Sequence, residues 1–357
     1  MKGLILAGGS GTRLRPLTHT GPKQLIPIAN KPNILYCLED LRDAGITDIG
    51  IILGDNQPEK VRELLKDGSD FGVHLTYIVQ GAPRGIAHAI GCAEEFLKGG
   101  PFCVYLGDNL LKGGIRTMVA EFGEGDAEAE IALCHVSEPQ RFGVAELDRE
   151  GRVVKLIEKP KEPKSDLALV GIYFLRDSIF PIIRALKPSW RNELEITDAL
   201  ETLRAQGAKV RAHVVTGWWK DTGKPEDILD ANRLILDELE PRIEGTVEEG
   251  AEIKGRVAIG PGSVVRRGAV IHGPAIVGRD CEIGGGTYIG PYTTVGDRSV
   301  LEAADIENSI LLADVHLATR HKIVGSLIGS HSHITEDEQA RPRGMRVVLG
   351  EHSHVRL

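Results

Sequence analysis

The sequence has no surplus of basic residues: 43 Lys and Arg stand against 51 Asp and Glu, giving a formal net charge of −8. Proteins that bind nucleic acids usually carry a basic surplus, so no nucleic-acid partner is expected. An anionic small molecule would need a local cluster of cations inside an acidic protein. The chain is 41% hydrophobic and 26% charged, which is close to the globular average and excludes wholesale disorder.

Long hydrophobic runs are also missing. No apolar run reaches the roughly 18 residues that a membrane-spanning helix requires, so no membrane association is expected. The apolar run Leu4–Ala7 near the N-terminus is too short for the core of a signal peptide. Its length is instead typical of a buried strand.

Cysteine is scarce and shows no ligand or disulfide pattern. The five cysteines are an odd number, and no two have the Cys-x-x-Cys spacing of many metal and redox sites. They lie in apolar or small-residue surroundings, which indicates buried, reduced thiols and predicts a cytoplasmic protein. The residues concerned are Cys37, Cys92, Cys103, Cys134 and Cys281.

At about 150 residues per domain, the 357 residues predict roughly two domains. From residue 1 to 240, short apolar runs alternate with amphipathic stretches, which predicts an α/β fold with a Rossmann-like, mostly parallel sheet. An antiparallel hairpin is expected at residues 142–158. Buried strands are predicted at Leu4–Ala7, Ile49–Leu53, Leu75–Val79 and Cys103–Leu106, and helices at Ile34–Ala44, Glu59–Leu65, Ile86–Leu97 and Pro225–Leu239.

Residues 241–357 show a different pattern, a six-residue repeat. From Val247 to Leu301, ten aliphatic residues recur every six positions without a slip, and mostly small side chains recur four residues after each. Ten positions in register exclude coincidence and predict the hexapeptide repeat of a parallel β-helix. The residues resemble the left-handed β-helix family. Stacked coils of this kind favour a homo-oligomer, with trimer and tetramer both open.

The repeat becomes irregular towards its end. The register slips by one near Ile306 and then blurs, and it reappears at Ile328 and Ile334. It returns once more at Leu349 and Val355. The charged, proline-containing stretch 336–343 is therefore predicted to be a loop between coils.

A glycine-rich segment directly follows the first predicted strand. Gly8, Gly9 and Gly11 allow a ligand to approach the backbone closely and present N–H groups to phosphate. The segment is not the dinucleotide fingerprint, because its third glycine is missing, and no Lys-Ser/Thr pair makes it a P-loop. Arg13 and Lys23 add two cations near the carboxyl end of the strand, which suits a triphosphate.

The segment 8–13 (Gly-Gly-Ser-Gly-Thr-Arg), followed by 22–27 (Pro-Lys-Gln-Leu-Ile-Pro), resembles the signature of the sugar-1-phosphate nucleotidylyltransferases. Gln24 after the lysine is similar to the glucose-1-phosphate thymidylyltransferase branch. The likeness covers the first 240 residues, and the added β-helix resembles the long form of deoxysugar and antibiotic-sugar pathways. Further matching motifs lie at 80–87, 107–109, 141–144, 158–160, 170–171, 193–198 and 221–223.

The resemblance implies transfer of a dTMP group from dTTP to glucose-1-phosphate, with release of pyrophosphate. It implies Arg13, Lys23 and Lys159 as catalytic cations, and Asp108 and Asp221 as ligands of Mg²⁺. Mg²⁺ is usually held by one or two carboxylates together with substrate phosphates. The implied nucleotide-binding residues are Leu6, Gly8, Gly9, Gly11, Thr12, Arg13, Gln24, Gln80, Gly85 and Asp108. The implied sugar-phosphate residues are Asn109, Gly143, Glu158, Lys159 and Val170.

Three alternatives remain open from the sequence. Thymine differs from uracil by one methyl group, which is worth about 1–3 kcal/mol in a pocket, so use of UTP or another sugar phosphate is not excluded. Seven of the twelve histidines follow residue 271, and His-Ser-His occurs at 331–333 and 352–354. These suggest a second, acyltransferase activity or metal binding in the β-helix. A non-catalytic subunit would be expected to lose the loop arginine, the lysines or the metal carboxylates, and here all are present.

Overall fold

The computed structural model describes residues 1–336, and no helix among them is both long and apolar enough to cross a membrane. This part of the chain forms two compact units. The first comprises Met1–Thr12, Thr18–Ile26 and Asn33–Asp221, and the second comprises Arg13–Leu17, Pro27–Pro32 and the described chain from Thr222.

Up to residue 236 the chain contains both helices and strands, and the helices are short to medium in length. The first thirteen strands are β1 (Lys2–Ala7), β2 (Pro27–Ile28), β3 (Lys31–Pro32), β4 (Asp48–Leu53), β5 (His74–Val79), β6 (Phe102–Leu106), β7 (Asn109–Leu111), β8 (Ala129–His135), β9 (Gly143–Leu147), β10 (Val153–Glu158), β11 (Leu167–Leu175), β12 (Val210–Val214) and β13 (Trp219–Asp221). The helices are α1 (Asn33–Asp43), α2 (Pro58–Leu65), α3 (Ile86–Cys92), α4 (Glu94–Leu97), α5 (Arg116–Glu124), α6 (Ile179–Ala185), α7 (Ile196–Ala205) and α8 (Pro225–Leu236).

The first unit is built on a mixed sheet with the strand order β10-β9-β11-β6-β1-β4-β5. Strands β6, β1, β4 and β5 run parallel, whereas β11 is antiparallel to β6. Strand β8 pairs antiparallel with β11 and parallel with β12. The four strands expected from apolar runs are confirmed as β1, β4, β5 and β6, and the predicted hairpin is confirmed as β9 and β10.

Both faces of the central strands are covered. Along β1, Leu4 belongs to one buried cluster and Ile5 to another, and on β6 Val104 and Tyr105 divide in the same way. Parallel strands buried on both faces are apolar at successive positions, which explains why these runs were recognisable. Their carboxyl ends meet at one edge of the sheet, where open α/β sheets bind their ligands.

One prediction for the first unit was incomplete, and several elements were missed. The helix expected over Ile86–Leu97 is interrupted at Ala93, which separates α3 from α4. Strand β8 was not anticipated, because Glu130 and His135 interrupt its apolar sequence. Helix α5 and the small β7–β13 pair were also missed. This pair matters for the site, because it joins residues that are about 110 positions apart.

The second unit contains three parallel sheets in which each coil contributes one strand to each sheet. Their strand orders are β14-β17-β20-β23-β26-β29, β15-β18-β21-β24-β27-β30 and β16-β19-β22-β25-β28, which confirms the predicted left-handed parallel β-helix. The strands are β14 (Arg242–Ile243), β15 (Thr246–Val247), β16 (Glu252–Lys254), β17 (Val257–Ile259), β18 (Val264–Val265), β19 (Val270–His272), β20 (Ala275–Val277), β21 (Glu282–Ile283), β22 (Tyr288–Ile289), β23 (Thr293–Val295), β24 (Val300–Leu301), β25 (Asp305–Glu307), β26 (Ile310–Leu311), β27 (His316–Ala318), β28 (Ile323–Val324), β29 (Leu327–Ile328) and β30 (His333–Thr335).

The length of the coils explains why the repeat blurs. Ile283 pairs with Leu301, eighteen residues on, but Leu301 pairs with Leu317, only sixteen residues on. Leu317 in turn pairs with Ile334 after seventeen residues. The slip near residue 306 is therefore confirmed, and the β-helix continues through the blurred stretch with shortened turns. The predicted repeats at Leu349 and Val355, and residues 337–343 of the predicted loop, lie outside the described residues.

Candidate active site

The glycine loop, residues Gly8–Thr12, leaves the sheet at the carboxyl end of β1. A Cβ at Gly8 would overlap Oε1 of Gln80, which follows β5. A Cβ at Gly9 would lie 3.3 Å from Cε of Lys23. The two glycines thus let Gln80 and Lys23 lie directly against the backbone of the loop. The structure brings together three features that the sequence places up to 72 residues apart.

The rest of the loop is conformationally specialised and partly open. Gly11 has φ = +64°, in the left-handed region that favours glycine. Its carbonyl accepts a 2.8 Å hydrogen bond from Oγ1 of Thr18. Leu6 is buried at the end of β1, whereas Thr12 and Arg13 are exposed in the 3-10 turn that follows the loop.

Lys23 forms an ion pair with Asp108, and both side chains are largely buried. Lys23 begins the 3-10 turn Lys23–Leu25, and its Nζ contacts Oδ2 of Asp108, just beyond β6. Burial raises the pKa of Asp108, but the charge and hydrogen bond of Lys23, with the amide of Asn109, outweigh it and leave the pKa below its usual value. Asp108 is therefore an ionised carboxylate at neutral pH, paired with a lysine that lies against the glycine loop.

The second implied metal ligand lies beside the first. Strands β7 and β13 pair antiparallel, which places Asp221 opposite Asn109 and so next to Asp108. The Asn109 amide donates a 3.1 Å hydrogen bond to Asp108 and accepts a 2.6 Å hydrogen bond from the indole of Trp219. Two carboxylates on adjoining strand ends are a donor set that fits a divalent ion of the Mg²⁺ type.

In the described part of the chain, the side chain of Gln24 has an oxygen without a hydrogen-bond partner, whereas the side-chain amide of Gln80 donates two hydrogen bonds. Gln24 is 1% exposed, and within the described residues its Oε1 has no hydrogen-bond partner. Gln80 donates from Nε2 to Nδ1 of His88 at 3.2 Å and to the carbonyl of Gly85 at 3.4 Å. Burial, and then the charge of Arg84, lower the pKa of His88, so its neutral imidazole serves as the acceptor. Sequence reasoning missed His88.

Gly85 is required at its position. It has φ = +101°, and a Cβ there would lie 2.5 Å from the carbonyl oxygen of Leu194. This close approach holds the segment after Gln80 against the segment that precedes α7. The implied base-binding residues Gln80 and Gly85 are thereby placed next to each other, as the 3.4 Å hydrogen bond between them shows.

Glu158 is held by a network at the end of the β9–β10 hairpin. Oγ1 of Thr197 donates to Oε2 of Glu158 at 2.7 Å, and Nη1 of Arg191 donates to Oε1 at 3.3 Å. Nζ of Lys159 lies 3.5 Å from the same oxygen, and Gly143 is the strand partner of Glu158. The structure thus brings together the three implied residues Gly143, Glu158 and Lys159. Thr197 and Arg191 were not singled out, although Thr197 lies within a matched motif.

Val170 occupies a different environment from the other implied sugar-phosphate residues. Its side chain is 0% exposed and belongs to the buried core. The register of β11 against β8 shifts between Leu169 and Tyr173, and Gly171 has φ = +75°. Only the backbone of Val170 is therefore available to a ligand at this bulge.

The thiols are all free, as expected, and Cys37, Cys103 and Cys281 are buried. The expectation of burial is wrong for Cys92, which is exposed on α3, and Cys134 is only partly buried. Cys92 lies on the outer side of the helix that carries His88, with Sγ 3.8 Å from Nε2 of that residue.

The histidines of the β-helix lie on the outside of its coils. His272 contacts Glu252 at 3.4 Å, and His316 contacts Glu302 at 3.2 Å and stacks edge-on against His333. None of the histidines after residue 271 and up to residue 336 belongs to a group of three metal ligands. The second His-Ser-His, with His352 and His354, lies outside the described residues.

Comparison with known proteins places the chain among nucleotidyltransferases. Residues 2–238 match the family model described as nucleotidyl transferase. The chain is 50% identical, over all 357 residues and the whole relative, to a low-salt glycan biosynthesis nucleotidyltransferase of Haloferax volcanii. It is also 50% identical over 358 residues to a glucose-1-phosphate thymidylyltransferase of Streptomyces antibioticus, covering 100% of this chain and 99% of the relative. The corresponding enzyme of Streptomyces griseus is 44% identical over 357 residues, with 100% and 99% covered.

Solved structures agree over the first part of the chain. A putative glucose-1-phosphate thymidylyltransferase from Bacillus anthracis, in complex with sucrose, matches with a TM-score of 0.62 and 41% identity, covering 66% of this chain and 94% of the other. A UDP-glucose pyrophosphorylase complexed with UDP-glucose matches with a TM-score of 0.59 and 30% identity, over 66% and 98%. Nucleotidyltransferases of this family generally use a divalent metal ion. From its matched residues and its full-length relatives, the chain belongs to the nucleotidyl transferase family.

Proposed function

We propose that the protein transfers a dTMP group from dTTP to glucose-1-phosphate and releases pyrophosphate and dTDP-glucose. The observation that carries the proposal is the meeting of the glycine loop, Lys23, Asp108 and Asp221 at the carboxyl edge of the sheet. The names of the full-length Streptomyces relatives, at 50% and 44% identity, support the choice of substrates.

The reaction is an in-line displacement. An oxygen of the sugar phosphate attacks the α-phosphorus of dTTP, and the bond to the β-phosphate breaks with its electron pair leaving on pyrophosphate. The attacking oxygen is already ionised at neutral pH, so no general base is required. Catalysis then rests on positioning and on stabilisation of phosphate charge.

Three cations serve these roles in the proposal. Lys23 holds the triphosphate above the glycine loop, and Lys159 holds the phosphate of the sugar. Arg13, exposed directly after the loop, stabilises the leaving pyrophosphate. Asp108 and Asp221 would hold Mg²⁺, which neutralises phosphate charge when bound.

The two glutamines provide the edge that reads the base. The buried Oε1 of Gln24 has no hydrogen-bond partner in the described protein, so it suits the N–H of a pyrimidine. Because His88 takes the amide hydrogen of Gln80, Oε1 of Gln80 is directed towards Gly8. The phosphates are lined by the backbone of the other nucleotide-binding residues near the loop, which are Leu6, Gly8, Gly9, Gly11 and Thr12. Gly85 lies beside the base.

The sugar site in the proposal consists of Asn109, Gly143, Glu158 and the backbone of Val170. Glu158 accepts hydrogen bonds from Thr197 and Arg191, so its carboxylate is held in one orientation. Its remaining acceptor capacity is directed to sugar hydroxyls.

The proposal extends to organisation. Residues 1–240 form the nucleotidyltransferase domain and residues 241–357 the β-helix domain, through which the chain forms a homo-oligomer, either a trimer or a tetramer. The five free thiols support a cytoplasmic location. Light scattering during size-exclusion chromatography distinguishes a trimer from a tetramer, and a monomeric mass contradicts the assembly.

The test is pyrophosphate release by purified protein. dTTP, UTP, ATP, GTP and CTP are each combined with glucose-1-phosphate, galactose-1-phosphate and glucosamine-1-phosphate, with Mg²⁺ or with EDTA. We expect the fastest release with dTTP and glucose-1-phosphate, and none with EDTA. Faster release with UTP refutes the nucleotide assignment, and no release with any pair refutes the activity.

Arg13→Ala tests the role of the loop arginine. Loss of one such cation typically slows turnover about 100-fold or more. Arg149→Ala is the matched control, because Arg149 is an exposed arginine in the β9–β10 turn. Near-full turnover of Arg13→Ala would show that the assignment of Arg13 is wrong.

A further inference from the structure

A second group of possible metal ligands, which shares no residue with the candidate active site, lies in the first unit. Glu121 lies on α5, Glu130 on β8 and His213 on β12. One ligand atom from each residue lies within 4.8 Å of the other two, and this is the group of three found among residues 1–336. Strands β8 and β12 are paired in parallel, with Glu130 opposite Arg211. Because His213 lies two residues after Arg211, the side chains of Glu130, Arg211 and His213 are on the same face of the sheet.

Glu130 is the residue that points to a missing ligand. Its side chain is 1% exposed, and neither carboxylate oxygen accepts a hydrogen bond within the described protein. A buried carboxylate without hydrogen bonds is costly, so buried charges are normally paired or coordinate a metal. Burial raises the pKa of Glu130, and the charge of Arg211 offsets this only in part.

Arg211 lies within ion-pair distance of Glu130 but gives it no hydrogen bond. Its Nε lies 3.7 Å from Oε2 of Glu130, beyond hydrogen-bond range. Its Nη2 is closer to Oε2 of Glu121, at 3.3 Å, and its Nη1 donates to the backbone carbonyl of Glu121 at 3.5 Å. Nδ1 of His213 lies 3.7 Å from the same Glu121 oxygen. Two carboxylates and an imidazole therefore face one another with one guanidinium beside them.

We propose that Glu121, Glu130 and His213 form a binding site for a divalent transition-metal ion of the Zn²⁺ type. The imidazole nitrogen distinguishes this donor set from the all-oxygen sets that Mg²⁺ and Ca²⁺ prefer. Zn²⁺ takes histidine nitrogen and carboxylate oxygen, and three protein ligands leave one position for water. The Glu121 and His213 side chains are 40% and 26% exposed, so the ion enters from solvent on this side.

The location indicates what the ion does. Among the described strands β12 pairs only with β8, so it is an edge strand, and its Arg211 and His213 contact Glu121 of α5. An ion held by one residue from each element links the helix to two strands and stabilises that edge. For the ion to bind, Arg211, which is partly exposed, would have to turn away from Glu121 and Glu130. The group does not include Asp108 or Asp221.

The experiment measures Zn²⁺ binding by the full chain after treatment with a chelator and its removal. Equilibrium dialysis with metal analysis gives the number of ions bound. Because the β-helix histidines and Cys92 can also bind Zn²⁺, the number bound by each variant is compared with the number bound by the wild type. We expect His213→Phe and Glu130→Gln each to bind one equivalent less than the wild type. His135→Gln is the matched control, because His135 pairs with Asp166 at 2.9 Å but has no third ligand.

Thermal unfolding provides the second readout. Zn²⁺ at about 100 times its dissociation constant should raise the unfolding temperature of the wild type by about 5 °C, and that of His135→Gln equally. His213→Phe and Glu130→Gln should lose this rise. Unchanged stoichiometry in His213→Phe, or a Zn²⁺-induced rise that survives both substitutions, overturns the proposal.

Discussion

Replacing Lys23 with methionine removes the cation beside Asp108 and keeps the length of the side chain. The side chains of Lys23 and Asp108 are 15% and 9% exposed, so this is a buried ion pair. Removing one partner of such a pair costs about 3–5 kcal/mol. The Asn109 amide still donates a hydrogen bond to Asp108 in the variant. We therefore expect the loss of unfolding free energy to lie at the lower end of this range, about 3 kcal/mol. For a domain of this size, that corresponds to a fall of roughly 6–12 °C in the unfolding temperature.

A second substitution separates stability from catalysis. Asp108→Asn in the Lys23→Met background removes the stranded charge, so most of the lost thermal stability should return. Turnover should stay about 100-fold or more below the wild type, because the proposal gives both residues a role with phosphates. Calorimetry and pyrophosphate release measure the two effects on the same samples.

The pH dependence has a definite sign. The pKa of Asp108 is lowered in the folded protein, so its ionised form contributes stability above its unfolded pKa of about 3.9. That contribution is lost as the pH falls, so the difference between wild type and Lys23→Met should shrink below about pH 4. Lys209→Met is the control, since Lys209 pairs with Asp126 at the surface. The reasoning fails if Lys23→Met unfolds at the same temperature as Lys209→Met.

Three further changes test other parts of the structure. His88→Phe removes the acceptor of a base-pocket glutamine, so the KM for dTTP should rise about 5-fold with little change in kcat. Because the pKa of His88 is lowered, the wild-type KM should be flat at neutral pH and rise only in acid, and an identical profile in the variant contradicts this role. Ser263→Ala leaves the buried N–H of Cys281 without its acceptor and should lower the free energy of unfolding by about 1–3 kcal/mol, as measured in urea. Hydrogen bonds from Arg204 hold the pKa of Glu201 at about 2, so Glu201→Gln should unfold at a lower temperature at pH 7. That difference should vanish as the pH falls through about 2, and a difference that persists in strong acid rules the interpretation out.

Much of the fold was readable because its signals are local. Strands β1, β4, β5 and β6 are short apolar runs, since parallel strands inside a sheet are buried on both faces. The β-helix was readable because each coil repeats the same inward aliphatic position. The shortened coils after Leu301 blurred this signal, although the paired residues still stack.

Elements without a local signal were missed. Strand β8 carries a charged residue, Glu130, at a buried position. Its sequence is therefore neither a continuous apolar run nor an alternation of apolar and polar residues. The interruption at Ala93 between α3 and α4 was missed because the apolar residues on both sides of it keep a nearly helical spacing. His88 gave no signal as a partner of Gln80, because only folding brings its ring nitrogen within 3.2 Å of the amide.

The sequence by itself determined the buried strands of the central sheet, the repeat of the second unit, and the motifs that resemble one enzyme family. The tertiary structure decided which residues meet. Asp108 and Asp221 are 113 positions apart, and the β7–β13 pairing makes them neighbours. The same holds for Glu121, Glu130 and His213. Periodicity and spacing record how each segment faces the core, whereas contacts between distant segments depend on how the segments pack, which no local pattern encodes.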